Sequence, residues 1–284
     1  MKIALFYATH RPYCTGGVLH RSLERLGHRV EAFDSIDLEW ARTPSQDDFD
    51  LYLEVHSSRH YHQLPLPQGP RAYWAIDTHI NYSNELAVAK NHDFVFVPHV
   101  AGVKKMREDL PKKAADIHLL PLAADEATIY ERGLERTLDV AFVGQNSEQR
   151  RLFRRFATRN FKNAFIGKAY LNEMGKIYST TKIGLNYSIA NELNLRVFEV
   201  LGSGAFLLSN PIPETRTMDA VQEGKHYREY HTLKEMRDLA YYYLRHAEER
   251  EALAKAGQKL VLEKHTIRER AKQILAVVKQ GPQR

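Results

Sequence analysis

Short apolar runs of strand length recur along the first 120 residues: KIALFY, DLYLEV, AYWAI, DFVFV and IHLL. Between them lie stretches with helical spacing. VLHRSLERLGHRV puts Val18, Leu19, Leu23 and Leu26 on one face, and SNELAVAKNH and VAGVKKMRED are compatible with helices. Such alternation predicts a parallel sheet with crossover helices. After LPLAAD at 120–125 the pattern weakens into the polar stretch EATIYERGLERTL. A second series follows, with strands at DVAFVG, FKNAFIG, KIGLNY and GAFLLS and helices at QRRLFRRFATR, LNEMGKIYSTT and NLRVFEVLG. Beyond residue 232 the pattern is helical only. The predicted fold class is α/β: two Rossmann-like, doubly wound lobes, 1–125 and 126–265, with a hinge near 121–138. The terminal helix at 266–284 is expected to pack back across the lobes. Two such lobes would leave a cleft between the carboxyl ends of their sheets, where ligands of these folds bind.

Composition agrees with two cores of about 100–150 residues each. The chain has 284 residues, 43% hydrophobic and 27% charged, and no apolar run approaches the roughly 18 residues needed to cross a bilayer. MKIALFYATH breaks into polar residues too early for a secretory signal, so a cytoplasmic address is expected. The single cysteine, Cys14, excludes an internal disulfide framework and a zinc site of paired thiolates. The net charge of +6 is uneven. Residues 1–125 carry 14 Lys and Arg against 16 Asp and Glu, and residues 126–284 carry 27 against 19. A basic second half suits an anionic ligand, a nucleic acid or an acidic partner.

The most informative stretch is ANELNLRVFEVLGSGAFLLS, where a polar loop enters a helix that ends at Gly202 and Gly204. Arg196 and Glu199 are three apart and share a helix face. An arginine in the first turn adds a fixed positive fork to the partial charge of the helix N-terminus, a combination suited to a diphosphate. Glu199, one turn deeper, is spaced to accept hydrogen bonds from vicinal ribose hydroxyls. The same spacing also describes an ordinary intrahelical ion pair. In AFVGQNSEQRRLFRRF, Gly144 ends a strand and Arg150 and Arg151 open a helix. Gly144 permits close backbone approach, and Arg150 is a second cation for a diphosphate. Lys168, after Gly167, is a third. Tyr178 and Asn186 flank the same expected cleft, either as ligand contacts or as satisfied buried polar groups.

The pattern N-L-R-x-F-E-x-L-x-x-G-x-F-L-L, preceded by KIGLNY and followed by EGKHY at 223–227 and LEKHTIRERAKQIL at 262–275, resembles the donor-binding half of the group 1 type glycosyltransferases, especially the CgeB-like (spore maturation protein) branch. The resemblance covers roughly residues 138–278, and the first lobe is similar in style alone. It implies a GT-B fold, with Arg196 at the diphosphate and Glu199 at the ribose of a nucleotide-sugar donor, UDP-glucose being the base-rate choice. The sequence departs from the family's two acids eight apart, because the earlier position is Asn191, with Glu192 beside it. Asp77 and His79, in YWAIDTHINY, would occupy the cleft and either remove the acceptor's proton or position substrates.

No metal or other cofactor is expected, since Asp77 with His79 is an incomplete ligand set. His56, His60 and His62 have loose spacing, with Glu54 the one carboxylate nearby, and read as a solvated loop. Gly16 and Gly17, between the first strand and its helix, are candidates for close approach to phosphate or sugar oxygens, although no G-x-G-x-x-G pattern accompanies them. The acceptor stays open among a small molecule, a glycan, a protein and a modified nucleic acid, and so does the oligomeric state. Two other readings compete: a non-catalytic nucleotide-sugar or nucleic-acid binding module, and a nucleotide-sugar epimerase.

Overall fold

The computed structural model describes residues 1–35, 49–56, 69–216 and 221–283. The chain divides into two compact units, one of Met1–Pro121 with Ile267–Arg284 and the other of Leu122–Thr266.

In the first unit, β1 (Lys2–Tyr7), α1 (Thr15–Arg25), β2 (Arg29–Asp34), β3 (Leu51–Val55), β4 (Arg71–Trp74), α2 (Tyr82–Ala89), β5 (Phe94–Val97), α3 (Val100–Asp109) and β6 (Ile117–Leu119) follow in order. The strands form one parallel sheet in the order β2-β1-β3-β4-β5-β6. The chain runs outward from β1 to β2, then returns to β3 and runs the other way. The switch point therefore lies between β1 and β3, where the carboxyl ends open a ligand crevice in doubly wound sheets. Parallel strands are covered on both faces, which is why β3 and β5 are buried along their whole length.

β2 corrects the expected helix over VLHRSLERLGHRV. The helix stops at Arg25, Gly27 takes a left-handed φ of 83°, and the next residues extend into the edge strand RVEAFD. The terminal helix α9 (Ile267–Gln280) belongs to this unit. Arg270 Nε donates to the Pro121 carbonyl at 2.6 Å, and the Gln283 amide donates to Asp116 Oδ1 at 2.9 Å.

The second unit contains β7 (Leu138–Val143), α4 (Arg151–Asn160), β8 (Ala164–Gly167), α5 (Leu171–Ser179), β9 (Thr181–Asn186), α6 (Leu195–Gly202), β10 (Phe206–Ser209), β11 (Tyr227–Glu229), α7 (Leu233–Arg245) and α8 (Ala247–Lys264). Its parallel sheet has the order β11-β10-β9-β7-β8, with the switch point between β7 and β9. One face packs Val140, Phe142, Ile183, Leu185, Phe206 and Leu208 against Phe153 of α4 and Met236 and Tyr243 of α7. Gly184 is required on the opposite face, because a Cβ there would stand 2.3 Å from Val200 of α6. β11 is a second strand beyond the sequence expectation, again at an edge.

Candidate functional site

The switch point of the second sheet is where Arg196 lies. α6 opens at Asn194, whose side chain does not cap the helix but turns back to donate to Asn186 Oδ1 at 3.3 Å. One residue into the first turn, the Arg196 guanidinium spans both strand ends. Its Nε donates to the Val143 carbonyl at 2.6 Å and its Nη1 to Asn186 Oδ1 at 2.8 Å. The guanidinium carbon sits 4.4 Å from the centroid of the Phe142 ring. Arg196 is 9% exposed, and among the described residues no carboxylate forms an ion pair with it. Gly144 makes room for it, since a Cβ there would stand 2.4 Å from Nη2.

Two more arginines face the same ring, Arg150 and Arg154, each 5.9 Å from its centroid. Arg150 donates through Nε to the Tyr187 carbonyl at 3.3 Å, and Arg154 reaches the Ile166 carbonyl at 3.3 Å. Burial, followed by the charge of Arg196, lowers the Arg150 pKa to about 10, against the opposing pull of Glu192. Three guanidiniums thus crowd the ends of β7, β8 and β9, a field suited to an anion of more than one charge. Arg154 was not singled out in the sequence, although its i,i+4 spacing from Arg150 was a usable signal.

Glu199, one turn along α6, is the acidic member. Protein atoms crowd its carboxyl while part of its surface stays accessible, and among the described residues no hydrogen-bond donor reaches the carboxylate. Burial raises its pKa to about 7, with the charge of Arg196 opposing. Tyr178 and Asn186 stand behind the arginine and are fully buried. The Tyr178 hydroxyl accepts the Val143 amide at 3.2 Å, and burial raises its pKa. Asn186 donates to Ser209 Oγ at 2.9 Å and its carbonyl accepts Tyr230 at 2.7 Å. Both side chains brace Arg196 from within the protein, as satisfied buried polar groups, which is one of the two roles the sequence left open for them. Lys168 is exposed past the end of β8 and makes no hydrogen bond or ion pair with the described residues.

At the position of the missing acid, Asn191 has a left-handed φ of 55° and accepts from Asn210 Nδ2 at 3.3 Å. Glu192 is engaged locally: it accepts the Ala190 amide at 2.8 Å and the Ser188 hydroxyl.

In the first unit, Asp77 follows β4 and its backbone amide donates to Glu85 Oε1 at 3.0 Å. Its carboxylate lies 3.5 Å from His56 Nε2. His79 is exposed, with its ring against that of His99 at 4.9 Å. His56 corrects the solvated-loop expectation, because it is buried at the end of β3 with Nδ1 3.0 Å from the buried carboxylate of Glu85. His60 and His62 lie outside the described residues. Gly16 and Gly17 are in the first turn of α1, not in a loop. A Cβ on Gly16 would stand 2.3 Å from Tyr7, and one on Gly17 would stand 2.6 Å from the Pro12 carbonyl, so helix packing alone requires glycine at both. Among the described residues no group of three or more His, Cys, Asp or Glu side chains gathers as a metal site would require, and no helix is long and apolar enough to cross a membrane.

Residues 131–276, which contain the whole arginine cluster and Glu199, match the family described as "Glycosyl transferase-like". The chain belongs to that family. It is a glycosyltransferase, and its two parallel-sheet units have the GT-B fold. Anabaena HepE, solved in complex with UDP and glucose, superposes with a TM-score of 0.71 at 11% identity, covering 99% of this chain and 100% of that one. Sucrose-phosphate synthase from Thermosynechococcus elongatus gives 0.69 at 12% identity, covering 99% and 98%. T4 phage BGT in complex with its UDP-glucose substrate gives 0.62 at 14%, covering 98% and 99%. No curated protein matches the sequence at a significant level. At these identities the structural likeness speaks to the fold of the glycosyltransferase and to nothing finer.

Proposed function

We propose that this glycosyltransferase, a cytoplasmic enzyme of the CgeB-like branch, transfers a hexose from a nucleoside-diphosphate donor held at the β7/β9 switch point. UDP-glucose is the donor this reading favours. One observation carries it: among the described residues, Arg196 is a buried cation with no carboxylate partner, and Glu199, one turn away, is a crowded carboxylate with no donor. A diphosphate supplies the negative charge and a ribose supplies the hydroxyls. Arg196 and Arg150, with Arg154, neutralise the charge that grows on the leaving diphosphate, so the reaction needs no metal. Lys168 is exposed near the same strand ends and remains a candidate for the outer phosphate. Solved structures of the same fold with UDP and UDP-glucose support this choice of donor.

In the first unit, Asp77 faces the acceptor hydroxyl, with His79 beside it. The acceptor itself stays open among small molecules, glycans, proteins and modified nucleic acids. The test is to replace Arg196 and Glu199 separately by Ala and to measure UDP-glucose binding by calorimetry, with thermal unfolding as the control for folding. Unchanged affinity in both variants rejects the reading. Transfer is expected to persist in excess chelator, and its loss there rejects metal independence.

A further inference from the structure

The first unit holds a buried ionisable cluster that the donor site leaves unused. His56 follows directly after β3, one of the two strands at the switch point of its sheet, and lies between two carboxylates. Nδ1 is 3.0 Å from Glu85 Oε1 and Nε2 is 3.5 Å from Asp77 Oδ2. Glu85 comes from the first turn of α2 and its side chain is fully buried. It accepts from the Asp77 amide at 3.0 Å and from the Tyr73 hydroxyl, so its carboxylate is fixed in place and fixes the loop that carries Asp77. The Asp77 side chain is 25% exposed, and among the described residues no donor hydrogen-bonds its carboxylate, which faces the His56 imidazole at an ion-pair separation of 3.5 Å. The arrangement is graded: a sealed acid, a sealed imidazole, and an acid that reaches the surface.

We propose that His56, braced by Glu85, is a positioning residue that keeps the Asp77 carboxylate ionised and oriented toward the acceptor's hydroxyl group. The proposal rests on the reading of Asp77 as the acceptor-facing group. The charges agree with it. Burial alone would lower the His56 pKa, but the Glu85 hydrogen bond and the charges of Glu85, Asp77 and Glu54 outweigh it and raise the value. Burial raises Asp77, His56 opposes that rise, Glu85 adds to it, and His79 and His99 oppose it from the loop and from the start of α3. Tyr73 completes the set facing His56, with its hydroxyl 3.3 Å from Nδ1. An imidazolium between two carboxylates leaves one negative charge, and the exposed oxygens of Asp77 are where it meets solvent or substrate.

The probe is UDP-glucose with water as acceptor, followed as UDP release from pH 5 to 9. His56→Gln removes the cation beside Asp77, so the acid limb of kcat/KM is expected to move up by about one pH unit. Turnover then falls about tenfold on the acid side and converges with the wild type above it. A loss that is equal at every pH would mark His56 as merely structural and overturn the proposal. Asp77→Asn serves as the separate control: unchanged turnover there overturns the reading of Asp77 itself. A second measurement does not depend on turnover. NMR titration of the His56 imidazole in the intact protein is expected to show a pKa above the ordinary range that drops in Asp77→Asn. A His56 titration indifferent to Asp77 overturns the proposal even if the His56 variant fails to fold.

Discussion

At the end of β7, three guanidiniums surround one phenyl ring and the most buried of them has no carboxylate partner among the described residues. At the end of β4, by contrast, an imidazole lies between two carboxylates. Both regions stand at or beside a switch point of a parallel sheet, and both bury charge. They differ in what completes them. Among the described residues the first lacks an ion-pair partner for Arg196, and a buried cation without one costs several kcal/mol, which the unit tolerates through the carbonyl and amide oxygens that hold Arg196. The second is compensated internally, so it has little to gain from binding a charge and more scope for moving a proton. On the proposed reading, a single fold would separate gripping from proton handling by whether the ion pairs close within the chain.

The largest test of that contrast is Arg196→Ala. Affinity for UDP-glucose is expected to fall about a hundredfold, equivalent to about 2.7 kcal/mol, in calorimetry. A smaller loss, about tenfold, is expected for Gly144→Ala, because the new methyl group displaces the far end of a flexible side chain and not the backbone. Wild-type affinity in that variant would mean that the position of the guanidinium does not matter. Glu199→Ala should also cost about tenfold against UDP-glucose, but nothing against the 2′,3′-dideoxyribose analogue. Equal losses for both donors would separate Glu199 from the ribose.

The smallest effect concerns stability. The Glu199 pKa is raised to about 7 in the folded protein, so the folded state favours the protonated form. That contribution is present at acid pH and is lost as the pH rises through 7. Glu199→Gln stays neutral, and its melting temperature should exceed the wild type by about 2–4 °C at pH 8, with the gap closing at pH 5. A gap of the same size at both values would remove burial of charge as the cause.

How far the sequence could be read depended on where each element sits in its sheet. β3, β5, β7 and β9 are internal strands, covered on both faces, and they showed as apolar runs. β2 and β11 are edge strands, and their charged residues disguised them. Arg196 and Glu199 were legible because one helix carries both and spacing alone sets their shared face. Arg154 follows the same rule and was overlooked among its neighbouring arginines. His56 was read as solvated because its partners, Asp77 and Glu85, are distant in sequence and only the pairing of β3 with β4 and the packing of α2 bring them near.

Periodicity along a single element is a local property, so the sequence by itself determined two α/β halves, the strand-to-helix connections and the Arg196–Glu199 face of α6. Everything that depends on contact between elements came from the tertiary structure. It decided that α9 completes the first unit, that Tyr178 and Asn186 stand behind Arg196, and that Gly144 exists to admit a guanidinium. It also decided which charges find partners. The physical reason is that a side chain's desolvation and its counter-ion are set by what packs against it across the sheet, and a linear pattern carries no record of that neighbour.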